Sequence, residues 1–246
     1  METRMNKALS LLFAASMLGA SACGGGSAAA GGETTTPANA AKDPQGNVVR
    51  SSSGAAVSKE AEANWKEATS AFEAADKAGW KTRTAARKET KGDIATGQGI
   101  AFAQRNGTRV AIVAEVDVNM KTGKVHARKF TVAHDCGVVI NPRLLTQGIE
   151  GNICQGLSRA IHEEVKFSKD NVTSVDWETY PILDITERPL EINVVLINRQ
   201  NIAPSGAGEG SMRPVVGAVA NAIYDATGVR LRQGPFTAER LKAGMA

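Results

Sequence analysis

The chain has 246 residues, with 29 basic and 25 acidic side chains giving a formal charge of +4, 42% hydrophobic residues, only 3 Trp, 2 Tyr and 6 Phe, and 3 Cys. That length admits one good-sized domain or two small ones; no apolar run reaches the roughly 18 to 20 residues a spanning helix needs, and three cysteines cannot brace a disulfide scaffold, so a polytopic membrane protein and a cystine-rich fold are excluded. The two charge populations are interspersed and nearly cancel, which bears on solubility and gives no warrant for a nucleic-acid partner.

Residues 1–23 read as an export signal: Arg4 and Lys7 form a basic start, Ala8 to Ala20 is uncharged and apolar, and Ala20, Ser21 and Ala22 precede Cys23. The pattern resembles a bacterial lipoprotein signal, in which Cys23 is acylated and becomes the mature N-terminus. Ala20 stands where such signals usually carry a branched residue, and Met5 opens the tidier version of the signal. The expectation is a place in the cell envelope or periplasm, held to the membrane only through the lipid on Cys23, and a cytoplasmic place if the signal is not used. Residues 24–57 are dominated by Gly, Ala, Ser, Thr and Pro, with Val48, Val49 and Val57 as the large apolar side chains. Such a segment buries too little to offset its chain entropy and is expected to be a disordered tether.

Residues 58–91 change character. Ala61, Trp65, Ala68, Phe72 and Ala75 fall at helical spacing, predicting an amphipathic helix over Lys59–Ala78 with Gly79 as its C-cap and Trp65 and Phe72 in its packed face. The basic stretch Lys81–Lys91 reads as a solvated connector.

Residues 92–246 form the packed region. Strands are expected at Ile100–Ala103, Arg109–Val118 and Lys124–Ala133, joined by turns at Asn106-Gly107 and Lys121-Thr122-Gly123 into an antiparallel meander. Val110, Ile112, Ala114, Val116 and Val118 alternate with smaller or polar positions, so one face of the middle strand should be buried and the other partly covered. Pro142 suits the first turn of a helix running to about Glu164. Its glycines Gly151 and Gly156 each cost about 1 kcal/mol against alanine, which calls for close approach of another backbone or of a ligand. Strand-like pieces at Val165–Ser168 and Ile192–Asn198 lead to a glycine-rich turn, Ser205–Gly210, and a small-residue helix, Val215–Thr227, closed by Gly228. The expected class is α+β: an antiparallel or mixed sheet packed with glycine-containing helices, preceded by a signal and a disordered tether.

Three stretches carry the chemistry: Asp135-Cys136-Gly137 with Asn141-Pro142 and the run Gln147–Gly156; Gly206-Ala207-Gly208-Glu209-Gly210; and Ala220–Ile223 through Ala226–Arg230. Glu209 is a carboxylate on a tight glycine turn at the mouth of a helix, a candidate general base because no bulky neighbour blocks its approach to a reacting group. Gln147 and Glu150, one helical turn apart, also fit a capping or surface pair. Cys136 and Cys154 have no partner at ligand spacing and read as small buried hydrophobes. His126, His134 and His162 read as packed or surface histidines, and no metal-ligand set is expected in the chain.

With Gly79-Trp80, Gly97-Gln98-Gly99-Ile100-Ala101, Ala133 to Gly137, Tyr180-Pro181-Ile182-Leu183 and Asp225 to Arg230, these stretches resemble, over roughly Ala75 to Arg240, a known region. It is the C-terminal molybdopterin-binding region of molybdenum hydroxylase large subunits, the xanthine dehydrogenase and aldehyde oxidase family, especially the isoquinoline 1-oxidoreductase and nicotinate dehydrogenase type. The resemblance implies that Glu209 is the catalytic glutamate, the base acting on a metal-bound oxygen as it attacks an electron-poor carbon of an aldehyde or N-heterocycle. It implies that Gln147 hydrogen-bonds the pterin, that Gly206, Ala207, Gly208 and Gly210 shape the turn, and that Gln155 and Gly156 pack their helix toward the cofactor's pyrophosphate side. The implied cofactor is molybdopterin, as the cytosine dinucleotide, with molybdenum.

Large subunits of that family are much longer than this packed region. The implied partners are therefore a chain supplying the N-terminal half, with its glycine-rich loop and arginine-bearing segment, and a small 2Fe–2S subunit. Arg4 and Lys7 are not a twin-arginine pair, so export would carry an unfolded, cofactor-free chain. Two functions follow: a partial or split large subunit, inactive without its partners, or a non-catalytic envelope lipoprotein keeping the fold as a binding or scaffold module.

Overall fold

The computed structural model describes residues 73–81 and 83–245. The expected signal, the tether and most of the Lys59–Ala78 helix lie outside them. What is described of that helix is its last stretch, α1 (Glu73–Lys77), which ends as expected before Gly79 at φ +64°. Ala74 and Ala75 of α1 are buried against the sheet.

Five strands follow in one mixed sheet whose spatial order equals the chain order: β1 (Glu89–Lys91), β2 (Ile94–Arg105), β3 (Thr108–Asn119), β4 (Val125–Asp135) and β5 (Glu191–Ile197). β2 to β4 form the expected antiparallel meander; β1, at the end of the stretch read as a connector, extends it at one edge, and β5 adds a parallel edge beside β4. The β2–β3 hairpin closes on Asn106 at φ +49° and Gly107 at φ +86°, the doubly left-handed pair that a two-residue turn matched to strand twist demands. Val110, Ile112, Ala114, Val116 and Val118 all enter the main core, as their alternation predicts. The opposite face is covered too, since Ala111 and Val113 are fully buried.

Between β4 and β5 runs α2 (Pro142–Ile161), its first turn capped by Asn141, whose side chain accepts from the Leu144 amide. Ile149, Ile153 and Leu157 of α2 bury completely, the i, i+4, i+8 stripe of an amphipathic helix. After a 3-10 turn at Gly210–Met212 comes α3 (Val215–Thr227), closed as predicted by Gly228 in the left-handed region, its amide bonded to the Tyr224 carbonyl. A last helix, α4 (Ala238–Met245), goes beyond the elements expected and buries Leu241. Among the described residues no helix is long and apolar enough to cross a membrane.

Three expectations need correction. β2 begins at Ile94 rather than Ile100. Gly97 and Gly99 argue against a strand, yet they are there because α3 lies on them: a Cβ at Gly97 would stand 2.1 Å from the Ala222 carbonyl oxygen, and one at Gly99 2.2 Å from that of Ala218. Val165–Ser168 is no strand; it contributes one isolated bridge, Phe167 to Val172. The basic connector is not simply solvated. Arg83 Nε and Arg87 Nε reach the two carboxylate oxygens of Asp225 at 2.8 and 2.7 Å, and the Gln98 amide donates to the same carboxylate at 2.9 Å. Burial by itself would raise the Asp225 pKa; the Gln98 and Arg87 hydrogen bonds and the Arg83 charge outweigh it and hold the carboxyl below its usual range.

Candidate functional site

Glu209 sits on the turn that leads into α3, with φ −133° and ψ 6°, as the residue preceding the Gly210–Met212 3-10 turn. Buried polar groups from three elements fix that turn. Thr108 at the start of β3 donates from Oγ1 to the Gly206 carbonyl at 2.7 Å. Asn152 of α2, nearly fully buried, donates to the Gly208 carbonyl at 2.9 Å. His134 of β4, fully buried, places Nδ1 3.0 Å from the Ser211 hydroxyl, two residues beyond Glu209. Burial lowers the His134 pKa to about 4, with the neighbouring Asp135 partly opposing, so this imidazole is neutral at pH 7 and supports the turn without charge. Its Nε2 has no hydrogen-bond partner among the described residues.

The Glu209 side chain is more than half exposed and lies in an open pocket of about 200 Å³ lined by Ala103, Arg105, Thr108, Val110, Gly208 and Arg213 among others. Arg105 Nη1 and Arg213 Nη2 both donate to its Oε1, at 2.6 and 2.9 Å. The Arg213 hydrogen bond and charge, followed by the Arg105 charge, hold the carboxyl below the usual carboxylate range. Its Oε2 makes no hydrogen bond among the described residues.

Gln147 is brought to a different place. It lines a second, wider cavity of about 550 Å³ with Glu150, Gly151, Cys154, Arg188 and Leu190. The structure therefore groups Gly206, Ala207 and Gly208 with Glu209, sets Gln147 apart from them, and leaves Gln155 exposed on α2. Gly156 points inward: a Cβ there would meet Val215 at 2.8 Å, so its close neighbour is the start of α3. Gly148, Gly151, Gly206 and Gly208 behave oppositely, with no packed neighbour among the described residues within 4 Å of an added Cβ. α2 connects the two cavities, because Asn152 supports the Glu209 turn while Gly151, its neighbour, faces the second opening.

Cys136 is buried as expected; Cys154 is only partly so. Burial and the Glu150 charge raise the Cys154 thiol pKa against the opposing Arg188, which keeps it protonated and unreactive. His162 bonds Glu187 at 2.8 Å, a surface pair. Among the described residues no group of three His, Cys, Asp or Glu side chains could hold a metal ion. Sequence reasoning misses Arg105, Arg213, Thr108 and Asn152. Only Arg213, four residues beyond Glu209, carries a local signal, since i,i+4 spacing places side chains together on a helical turn.

Comparison with known proteins places this geometry in context. The sequence matches the family described as the molybdopterin cofactor-binding domain over residues 33–189, a span that stops short of Glu209. It is 37% identical over 180 residues to a nicotinate dehydrogenase subunit of Pseudomonas putida, covering 70% of this chain and 15% of that protein. It is 30% identical over 162 residues to the beta subunit of isoquinoline 1-oxidoreductase of Brevundimonas diminuta, covering 66% of this chain and 20% of that one. The crystal structure of quinoline 2-oxidoreductase from Pseudomonas putida 86 superposes with a TM-score of 0.53 at 25% identity, over 56% of this chain and 18% of that one. The chain thus spans a fifth or less of the length of these relatives.

Proposed function

The chain belongs to the molybdopterin cofactor-binding domain family, and from that premise we propose that it is a partial or split large subunit of a molybdenum hydroxylase, acting on an aldehyde or N-heterocycle together with other chains. The observation that carries this reading is the set of bare glycines, Gly148 and Gly151 on α2 and Gly206 and Gly208 beside Glu209. Nothing among the described residues requires glycine there for space, and that openness supports a fit to something brought from outside.

The residues present suit a pterin dinucleotide. Gln147 offers an amide with donors and an acceptor beside the wider cavity, Arg188 on its rim offers a charge for phosphate oxygens, and the open glycine backbones allow close approach. Gly206, Ala207 and Gly208 keep the turn low beside Glu209, Gln155 extends the exposed face of α2, and Gly156 seats that helix on Val215. The cytosine dinucleotide form, with molybdenum, is the proposed cofactor; when bound it supplies the two-electron chemistry. This chain's own contribution is a proton acceptor, Glu209 Oε2, the oxygen left clear by Arg105 and Arg213. The Thr108, Asn152 and His134–Ser211 contacts keep that oxygen in one place.

Partner chains are part of the proposal. Phe167, Val175, Trp177, Ile185 and Leu190 lie between α2 and β5 with their side chains largely in solvent, Trp177 at 78%. An apolar surface of that kind suits burial by another protein chain, here one supplying the N-terminal half of the large subunit. A small 2Fe–2S subunit would take the electrons. The alternative to this reading is a non-catalytic envelope lipoprotein, exported and lipid-anchored at Cys23, that keeps the fold as a binding or scaffold module.

Co-expression with the neighbouring subunits tests the reading. The expected complex contains molybdenum, releases CMP on acid treatment, and loses about 10²–10⁴-fold in turnover in Glu209→Gln with its molybdenum content unchanged. A purified complex free of molybdenum overturns it. Mass spectrometry of the mature N-terminus tests the anchor: a diacylglyceryl Cys23 is expected, and an intact Met1 or Met5 excludes it.

A further inference from the structure

The two edges of the sheet are built differently. β1 is three residues, Glu89-Thr90-Lys91, all exposed, a short charged strand of the kind that keeps an edge from pairing with another chain. β5 ends the sheet on the other side with seven residues, of which Ile192, Val194, Val195, Leu196 and Ile197 are apolar. Val194 to Ile197 is a continuous apolar run over both faces, the composition of a parallel strand enclosed within a sheet. Yet none of the seven is buried: Glu191 and Asn193 are exposed and the others only partly covered. The ladder with β4 runs from Lys129 beside Glu191 to Asp135 beside Ile197 with no bulge, so nothing bends the strand away from a newcomer. A parallel ladder engages the backbone groups of alternate residues, and those of the remaining residues point away from β4. No hydrogen bond from another described residue reaches them. β5 thus has the composition of an inner strand in the position of an outer one.

We propose that β5 pairs antiparallel with β5 of a second copy of this chain, across a two-fold axis at Val194, joining two five-stranded sheets into one. A two-fold contact needs a strand that complements itself, and β5 meets that condition. A register centred on Val194 pairs all seven residues. Residues directly opposite in an antiparallel pair share a face, so Ile192 falls opposite Leu196 of the second copy and Val194 opposite Val194. These three side chains already pack on the main core, and core face therefore continues into core face. On the other face Asn193 meets Val195. Charge raises no obstacle, because the one charged side chain of the strand, Glu191, is held by Lys129 of β4 at 3.1 Å and by the Asn193 side-chain amide at 2.7 Å. In this register Glu191 faces Ile197 and not a second Glu191. β5 contains no lysine and no proline, the residues that commonly guard an edge. The contact needs no cofactor and does not rest on the molybdenum hydroxylase reading.

The full chain is followed by sedimentation velocity from about 1 μM to about 100 μM, concentrations that bracket a micromolar dimer, and a monomer–dimer equilibrium is expected. Hydrogen exchange is read at both ends of that range. Peptides covering residues 191–197 should exchange at least tenfold more slowly in the dimer, and peptides of β3 should not change. Asn193→Lys combined with Val195→Lys sets lysine opposite lysine on the face away from the core and should weaken the dimer at least tenfold. Asn193→Glu combined with Val195→Glu should do the same. Mixing the two variants should restore the dimer, because each lysine then faces a glutamate. Thermal melts at the dilute end check the fold of each variant. Where a double variant melts early, Asn193→Lys and Asn193→Glu alone replace it, since that position is exposed. A chain that stays monomeric at about 100 μM, a dimer indifferent to the lysine pair, or a mixture that stays monomeric overturns the proposal. Slow exchange of residues 191–197 at the dilute end overturns it too, the edge then being covered within one copy. None of these outcomes involves the molybdenum content of the co-expressed complex, so the two readings fail separately.

Discussion

Two sets of glycines divide this molecule. Gly97, Gly99 and Gly156 are filled from within: helix backbone lies 2.1 to 2.2 Å from where a Cβ would be on β2, and Val215 stands 2.8 Å from it on α2. Gly148, Gly151, Gly206 and Gly208 are filled by nothing among the described residues. The first set lets α3, with Ala218, Ala222 and Ala226 on its buried face, settle onto the sheet at backbone contact. Of the second, Gly206 and Gly208 line the pocket of Glu209, and Gly151 lines the separate cavity of Gln147. One residue type thus serves the interior of the fold in one place and its open surface in another.

The largest effect should come from violating the interior set. Gly99→Ala must push α3 off β2, since the obstruction is helix backbone with no rotamer to yield. The expected cost exceeds about 3 kcal/mol, a large share of an ordinary domain's 5–15, and the variant should lose its cooperative melt. Next is the clamp that ties the connector to α3. Asp225→Asn leaves Arg83 and Arg87 without their carboxylate and should cost about 3–5 kcal/mol, read as a lowered urea midpoint. His134 comes third, through pH. Its folded pKa, about 4, lies below its unfolded value near 6.5, so the folded state binds fewer protons and stability falls as pH drops through that interval. The loss should approach about 3 kcal/mol by pH 4 and should flatten in His134→Gln, with urea midpoints compared from pH 7 to pH 4. Asp225, whose pKa is depressed, contributes stability that is lost only at lower pH, as its carboxylate is protonated, which separates the two. The smallest effect has the opposite sign. Gly148→Ala and Gly151→Ala, on an exposed helix face, should each stabilise the isolated chain by up to about 1 kcal/mol while lowering molybdenum content in the co-expressed complex. If either alanine destabilises the lone chain, the division into filled and unfilled glycines fails.

What can be read from the sequence follows the range of its signals. α3 is found to the residue because its limits are local: small apolar residues at helical spacing and a glycine at the end. The Asn106-Gly107 hairpin is local in the same way. The glycine cost in α2 correctly calls for a close neighbour at Gly156, but nothing in the run says which residue supplies it. The Asp225 clamp joins positions 138 and 142 apart, and Arg105 meets Glu209 across 104 residues. No periodicity reports such pairs, so a connector that reads as solvated is in fact ion-paired. Glu209 is visible through its glycines and Arg213 through its i,i+4 spacing, whereas Arg105 is not visible at all.

The parallel pairing of β4 with β5 sets a route the chain must travel. Asp135, the last residue of β4, pairs with Ile197, and Lys129 pairs with Glu191, so the chain has to come back about 20 Å before β5 can start. The 20 residues of α2 alone cover about 30 Å. That is length enough for the return, yet β5 does not begin until Glu191. Residues 162–190 are therefore a detour that the sheet does not ask for. It is pinned back at a few points, such as the Leu183 amide on the Ser158 hydroxyl, and spends its length holding Val165, Phe167, Val172, Val175, Trp177 and Ile185 away from the core. A loop shortened to a direct return should still leave β4 and β5 in register, and what it would remove is exposed apolar surface rather than a structural member.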